Sequence, residues 1–242
     1  MMREVNIETG KILSFCGLEG SGCNLPAGQE SGDFFEFISC NEDSVFTVIG
    51  DVMGKGYQAA RKMEILCQLL RQCIKIDSQP LEVIRRLNTL GGYELRKQGS
   101  FATLCLLCYD VITGRLTCVN AGHHPPLFVS NGQLKAAQCR GVALGLLEEY
   151  LGTGVEEIFL AAGDAVVLYT DGLIEACGPD QRRYGLERLK EIVRSQSSTD
   201  AEGMRKNILA DLSAFTQGIS QKDDVTLVVM KVTEKGSDRS GD

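Results

Sequence analysis

Val45-Phe46-Thr47-Val48-Ile49 is an apolar, largely β-branched run that ends on Gly50-Asp51 and breaks into the turn Val52-Met53-Gly54-Lys55-Gly56. Such a run reads as a buried strand, and from Tyr57 onward the apolar period is that of a long helix. A carboxylate at the exit of a core strand is held rigidly beside flexible backbone, which suits a metal ligand or a general base. One such aspartate on its own is better explained as a cap for the next helix.

The arrangement recurs. Ser31-Gly32-Asp33 opens a second strand, Phe34–Ser39, and Asn41-Glu42-Asp43-Ser44 turns it back into Val45–Ile49 as a hairpin. Antiparallel pairing then sets Asp33 beside Asp51. Ala165–Tyr169 runs into Thr170-Asp171-Gly172, and Gln221-Lys222-Asp223-Asp224 leads into a last strand, Val225–Val232. A cluster of uncompensated carboxylates repels itself and drives its own pKa values upward. Hard divalent cations such as Mg²⁺ and Mn²⁺ remove that conflict. Two of them about 3.5–4 Å apart make a bridging water hydroxide-like near neutral pH, which suits phosphate-ester hydrolysis. Spacing alone leaves both readings open, a metal site and a set of separate caps and turns.

The remainder reads as a mixed α+β chain. Glu4–Phe15 is expected as an edge strand with a turn near Thr9-Gly10. Residues 16–32, rich in Gly, Ser, Asn and Pro, are expected as a loop. Helices are expected over Gly56–Ile76, from Ser78-Gln79-Pro80 until Gly91-Gly92 interrupts, over Gly185–Ser195 and over Ala201–Thr216. Basic residues on the first two read as solvated surface. Strands are expected at Phe101–Tyr109, Leu116–Ala121, Leu127–Val129, Gln133–Gln138 and Val155–Leu160, with Asn131-Gly132 as a type I′ hairpin turn. Residues 1–233 are expected to form one domain and 234–242 a disordered polar tail.

A net charge of −7 without a Lys/Arg stripe argues against nucleic acid as a partner. No apolar stretch approaches the roughly 20 residues that span a bilayer, and no signal-peptide core is evident, so a cytoplasmic protein with no membrane partner is expected. The ten cysteines are then expected as reduced thiols, many buried as small hydrophobes. Cys105 and Cys108 have zinc-like spacing but would face opposite sides of a strand.

The ordered segments SGDFFEF, GDVMGKG, FATL, NAGHHPPLF, GVALG, GDAVVLYTDGLIEA, YGLERL and DDVTLVV resemble the PPM/PP2C-type serine/threonine phosphatases, and most closely their bacterial SpoIIE/RsbU-like branch. The resemblance covers about residues 28–233. It implies an α-β-β-α sandwich of two antiparallel sheets flanked by helical pairs, with two Mn²⁺ or Mg²⁺ ions in a cleft at one end. By that resemblance Asp51 bridges the metals, the backbone carbonyl of Val52 adds a ligand, Asp171 and Asp223 hold one metal, and Asp33 holds a metal largely through water. Asp224, where eukaryotic relatives have Asn, ranks below Asp223. Departures include Ser31 in place of a Gly, Glu36 in place of an Asp, and Met53 in place of a His. No arginine obviously replaces the relatives' phosphate-binding one; Lys55 reads first as a solvated loop lysine and otherwise as a phosphate contact. His123-His124 reads first as a hydrogen-bonded turn at the cleft edge, and otherwise as a general acid or metal ligand. The implied substrate is a phosphorylated switch protein of the STAS-domain anti-anti-sigma type. With no sensor domain or helical linker in view, regulation through a partner or a homodimer is expected. A small-molecule phosphoesterase and a non-catalytic docking module are the rival functions.

Overall fold

The computed structural model describes residues 10–234 apart from 153 and 197. The expected strand start at Glu4, the turn at Thr9 and the tail beyond Glu234 lie outside the described residues.

Two antiparallel sheets face each other. The first contains β1 (Lys11–Phe15), β2 (Leu18–Leu25), β11 (Val225–Val232), β10 (Ala165–Tyr169), β7 (Leu127–Ser130) and β8 (Gln133–Ala136), in that spatial order. The second contains β3 (Asp33–Ser39), β4 (Ser44–Val52), β5 (Ala102–Asp110), β6 (Arg115–Ala121) and β9 (Glu156–Phe159). Helices α1 (Tyr57–Ile76), α2 (Pro80–Leu87) and α3 (Tyr93–Lys97) follow β4 in the chain. Later come α4 (Asp171–Glu175), α5 (Leu186–Ser195) and α6 (Ala201–Thr216).

The period of two along each strand builds three apolar layers. Val45 and Ile49 of β4 point between the sheets with Cys105, Leu107, Val166, Leu168 and Val228. Phe46 and Val48 point the other way, onto Leu66, Leu70, Ile84 and Leu87 of α1 and α2. Val167, Leu227 and Val229 of the first sheet meet Leu189, Val193, Ile208 and Leu212 of α5 and α6. Both faces of the central strands are therefore covered, which is why they read as continuous apolar runs. Cys105 and Cys108 do fall on opposite faces. The ten cysteines are free thiols, six of them buried.

Residues 16–32 correct the loop expectation, because Leu18–Leu25 is a strand seated between β1 and β11. A two-residue turn at Cys16 and Gly17, both with positive φ (36° and 84°), joins it to β1. Its glycines are there for packing. A side chain at Gly22 would strike the Phe35 ring, and one at Gly20 the Phe37 ring. Two aromatic rings from the opposite sheet fill the space that two β-carbons would take.

The Asn131-Gly132 turn has positive φ at both residues (49° and 73°), as type I′ requires. The helix from Pro80 passes into a π-helical turn at Asn88–Gly92 before α3, so the paired glycines loosen the helix without ending it. A side chain at Gly92 would strike Asn88, whose amide reaches Gly145 and the carbonyls of Leu147 and Glu148. No helix among the described residues is long and apolar enough to cross a membrane.

Candidate metal centre

The register of the β3–β4 hairpin places Asp33 directly opposite Asp51. Both stand at one end of the second sheet. The corresponding end of the first sheet is where β10 stops and β11 starts, since Tyr169 pairs with Leu227. Thr170 donates its backbone N–H to the Thr226 carbonyl at 3.1 Å. The Thr226 N–H returns to the Thr170 hydroxyl oxygen at 2.9 Å. Asp171 and Asp223-Asp224 are thereby brought to the same edge.

One carboxylate ties the two sheets together. Asp33 Oδ2 accepts hydrogen bonds from Thr170 Oγ1 and from Thr226 Oγ1, each at 2.8 Å. Thr170 holds the N-cap position of α4, yet its hydroxyl caps nothing in that helix and goes to Asp33 instead. Neither threonine was singled out by sequence reasoning. The available signal was position, because each lies within two residues of a strand-end acid and points inward on the strand period.

Burial and mutual repulsion raise the carboxyl pKa values here. Burial first, then the charge of Asp51, pushes Asp33 up to about 8 against the opposing pull of the two threonine hydroxyls. Burial, then Asp171, Asp223 and Asp224, pushes Asp51 up to about 6, with Lys55 partly offsetting them. Asp171 is raised by burial and by Asp223, while His124 acts the other way. Asp33 thus feels the charge of Asp51, and Asp51 those of Asp171 and Asp223, which separate caps on separate surfaces would not produce.

Asp224 has a different occupation. Its Oδ1 accepts from the Ala27 N–H at 2.8 Å, and its Oδ2 from Ser31 Oγ and the Gly32 N–H, both at 2.9 Å. Three donors hold it as a brace for the segment that delivers Asp33. Asp223 is half-exposed and pairs with Lys55, whose Nζ lies 2.9 Å from Oδ1. Lys55 is exposed, as the solvated-lysine reading expects, and that contact is added to it. The Val52 carbonyl faces Gly32, where a β-carbon would lie 2.9 Å from it. Glu36 forms a paired ion contact with Arg71 of α1, at 2.8 Å through Nε, so it serves packing. Arg71 in turn corrects the expectation that the helix's basic residues are simply solvated.

His123 fits the turn reading. Its N–H donates to Asn120 Oδ1 at 2.8 Å, and the Asn120 amide returns to its carbonyl at 3.0 Å. Its Nδ1 lies 2.8 Å from Thr103 Oγ1, and Thr103 pairs in register with Asp51. Burial holds the His123 imidazole down to about 3, so it is neutral at physiological pH. His124 stacks on Tyr169 with ring centroids 5.6 Å apart.

The donor chemistry fits hard divalent cations: oxygen ligands only, an excess of negative charge, and raised pKa values that a cation would reverse. Among the described residues no three His, Cys, Asp or Glu side chains are already closed around a single point. Lys55 neutralises Asp223 in this arrangement.

The threonine hydroxyls make a testable contribution. Thr226→Val removes a donor from ionised Asp33 and raises its pKa further. Mn²⁺ affinity measured by calorimetry should fall about tenfold at pH 7, the worth of one hydrogen bond to a charged group, and recover in part at pH 9. An equal loss at both pH values would assign Thr226 to packing alone.

Comparisons with known proteins bear on the family and the fold. A family model described as Stage II sporulation protein E (SpoIIE) matches residues 41–233. The chain is 26% identical over 216 residues to phosphoserine phosphatase RsbU of Bacillus subtilis, covering 88% of this chain and 63% of that protein. The crystal structure of the RsbU and RsbW domains of Rv1364c from Mycobacterium tuberculosis is similar with a TM-score of 0.74 and 28% identity, over 90% of this chain and 61% of that one. The catalytic domain of the serine threonine protein phosphatase PstP, solved in complex with 2 manganese ions, shares the fold at a TM-score of 0.62 and 17% identity, over 90% of this chain and 99% of that one. The chain spans about half the length of the curated relatives it matches.

Proposed function

The chain belongs to the SpoIIE family of PP2C-type serine/threonine phosphatases, and from that premise we propose that it removes phosphate from phosphoserine or phosphothreonine of a regulatory protein in a reaction that depends on divalent metal. The observation that carries this reading is the meeting of Asp33, Asp51 and Asp171 across two sheets through the hydroxyls of Thr170 and Thr226. Asp51, Asp171, Asp223 and the Val52 carbonyl are the proposed holders of two Mn²⁺ or Mg²⁺ ions, with Asp33 beside them and Asp224 as their brace. Cations held there supply Lewis acidity toward the phosphoryl group and an acidified water.

The protein's own side chains have separate tasks. Asp33 is kept in place by two hydroxyls, opposite Asp51 in the hairpin, so its carboxylate is fixed at the edge of the proposed metal site. His123 stays neutral and buttresses Thr103, opposite Asp51 in the sheet. Asp224 fixes the approach of residues 27–32. The hydroxyls of Thr170 and Thr226 are committed to Asp33, which favours direct hydrolysis by water over a phosphoenzyme.

The proposed substrate is a phosphorylated STAS-domain switch protein, on the strength of the family resemblance and of the phosphoserine activity in the name of RsbU. The test is release of phosphate from a phosphorylated STAS protein of the same genome, followed by mass spectrometry with Mn²⁺ and with EDTA. Mn²⁺-dependent loss of phosphate from serine or threonine is the expected result. Hydrolysis of nucleotides but not phosphoprotein would favour the small-molecule rival. Tight binding without turnover under either condition would favour a docking module.

A further inference from the structure

Lys55 lies at the centre of the turn that follows Asp51, between Gly54 (φ 111°) and Gly56 (φ 67°). No other atom lies within 4 Å of where a Gly56 β-carbon would stand, so that glycine serves backbone conformation and not crowding. A lysine with a glycine on each side sits on backbone that moves readily. Its Nζ crosses to the loop before β11, where it contacts Asp223 Oδ1 at 2.9 Å and donates to the Lys222 carbonyl at 2.7 Å. The pair is half-exposed, so it is a contact that costs little to exchange. Lys55 is also the cation whose charge reaches Asp51.

A phosphate monoester dianion brought into a nest of carboxylates needs positive charge on its outer side as well as from metal. We infer that Lys55 is the phosphate anchor of this site: it neutralises Asp223 before metal arrives, and it turns to the phosphoryl oxygens once Asp223 is committed to a cation. An ammonium that touches Asp223 would lie beside any cation this carboxylate held, and so within reach of a phosphate bound there. A lysine is a point charge with three donors on a flexible stem, which suits such an exchange better than a planar guanidinium. The inference rests on the metal-dependent reading given above.

Its test measures binding apart from turnover. Mn²⁺ and then inorganic phosphate are titrated calorimetrically into the full chain, as wild type, Lys55→Met and Lys55→Arg. Phosphate binding to the Mn²⁺-loaded protein should weaken about tenfold in Lys55→Met and about twofold in Lys55→Arg, the range for one charge-assisted hydrogen bond lost or retained. Mn²⁺ binding should strengthen in Lys55→Met, because its competitor for Asp223 has gone. With phosphoprotein, the KM of Lys55→Met should rise by more than kcat falls. Unchanged phosphate affinity in Lys55→Met, weaker Mn²⁺ binding in that variant, or no phosphate binding by wild type would each overturn the inference. If phosphate binds as expected and no substrate is hydrolysed, the anchor stands and the phosphatase reading fails.

Discussion

Asp51→Asn should lower Mn²⁺-dependent phosphatase turnover by about a thousandfold or more, and should at the same time make the metal-free protein more stable at pH 8. The first effect follows from removing the charge on which Asp171, Asp223 and Asp224 converge. Loss of several kcal/mol of transition-state stabilisation amounts to that factor. The second follows from linkage. The folded-state pKa of Asp51 is about 6, raised from an ordinary 3.8. A raised acid binds more protons folded than unfolded, so its favourable contribution is complete below the unfolded value and disappears as pH climbs through about 6. Asp33, raised to about 8, behaves alike over a wider range. Metal-free wild type should therefore lose stability between pH 4 and pH 8 on account of these two groups, and Mn²⁺ should restore it most at pH 8. The neutral amide lacks Asp51's share of that loss and relieves Asp33. A gain of about 1–2 kcal/mol, or roughly 3–6 °C in Tm, is expected at pH 8 in EDTA. Scanning fluorimetry at pH 5 and pH 8, with EDTA and with Mn²⁺, reads all of this. A variant less stable than wild type in EDTA at pH 8 would show that Asp51 is held by favourable partners and is not under repulsion.

Much of this centre was legible before any coordinates because hairpin arithmetic is local. A turn at 41–44 fixes which residues of Phe34–Ser39 and Val45–Ile49 face each other, and the Asp33–Asp51 pairing follows without knowledge of the rest of the fold. The final strand and the helix at Ala201–Thr216 were equally clear, one from its β-branched run and the other from Asp200, which caps it through the Gly203 N–H at 2.6 Å. Strand β2 was illegible because its cause is distant. Gly20 and Gly22 resemble loop residues until Phe35 and Phe37 of the facing sheet are seen to occupy their side-chain space. Asp224 is the same problem in another form. Sequence ranks it second to Asp223 by analogy, whereas its three donors from residues 27–32 come from nearly two hundred residues away. The hydroxyls that join the sheets at Asp33 depend on how the sheets stack, and stacking is not written in either strand alone.

That dependence makes Gly172→Ala the most informative test of the architecture. Gly172 follows Asp171 in the first turn of α4, and its backbone has no left-handed φ to explain the glycine. The explanation is approach: a β-carbon there would overlap the carbonyl oxygen of Asp224. Backbone atoms on both sides cannot rotate away as a side chain can, so the corner carrying Asp171 must separate from the segment carrying Asp223 and Asp224. The methyl group should cost about 3 kcal/mol, near 6–12 °C in Tm for a chain of this size. It should also lower kcat by about a hundredfold at saturating Mn²⁺, since a displacement near 1 Å at a catalytic group has that effect. Gly22→Ala supplies the contrast. There the obstacle is the Phe35 ring between the sheets, so stability should fall by a similar amount while each folded molecule keeps its activity. Equal catalytic losses in the two variants, measured per folded molecule, would mean that the site senses general loosening of the sandwich. A loss confined to Gly172→Ala would mean that the distance between the Asp171 corner and the Asp223 loop is what the active centre requires.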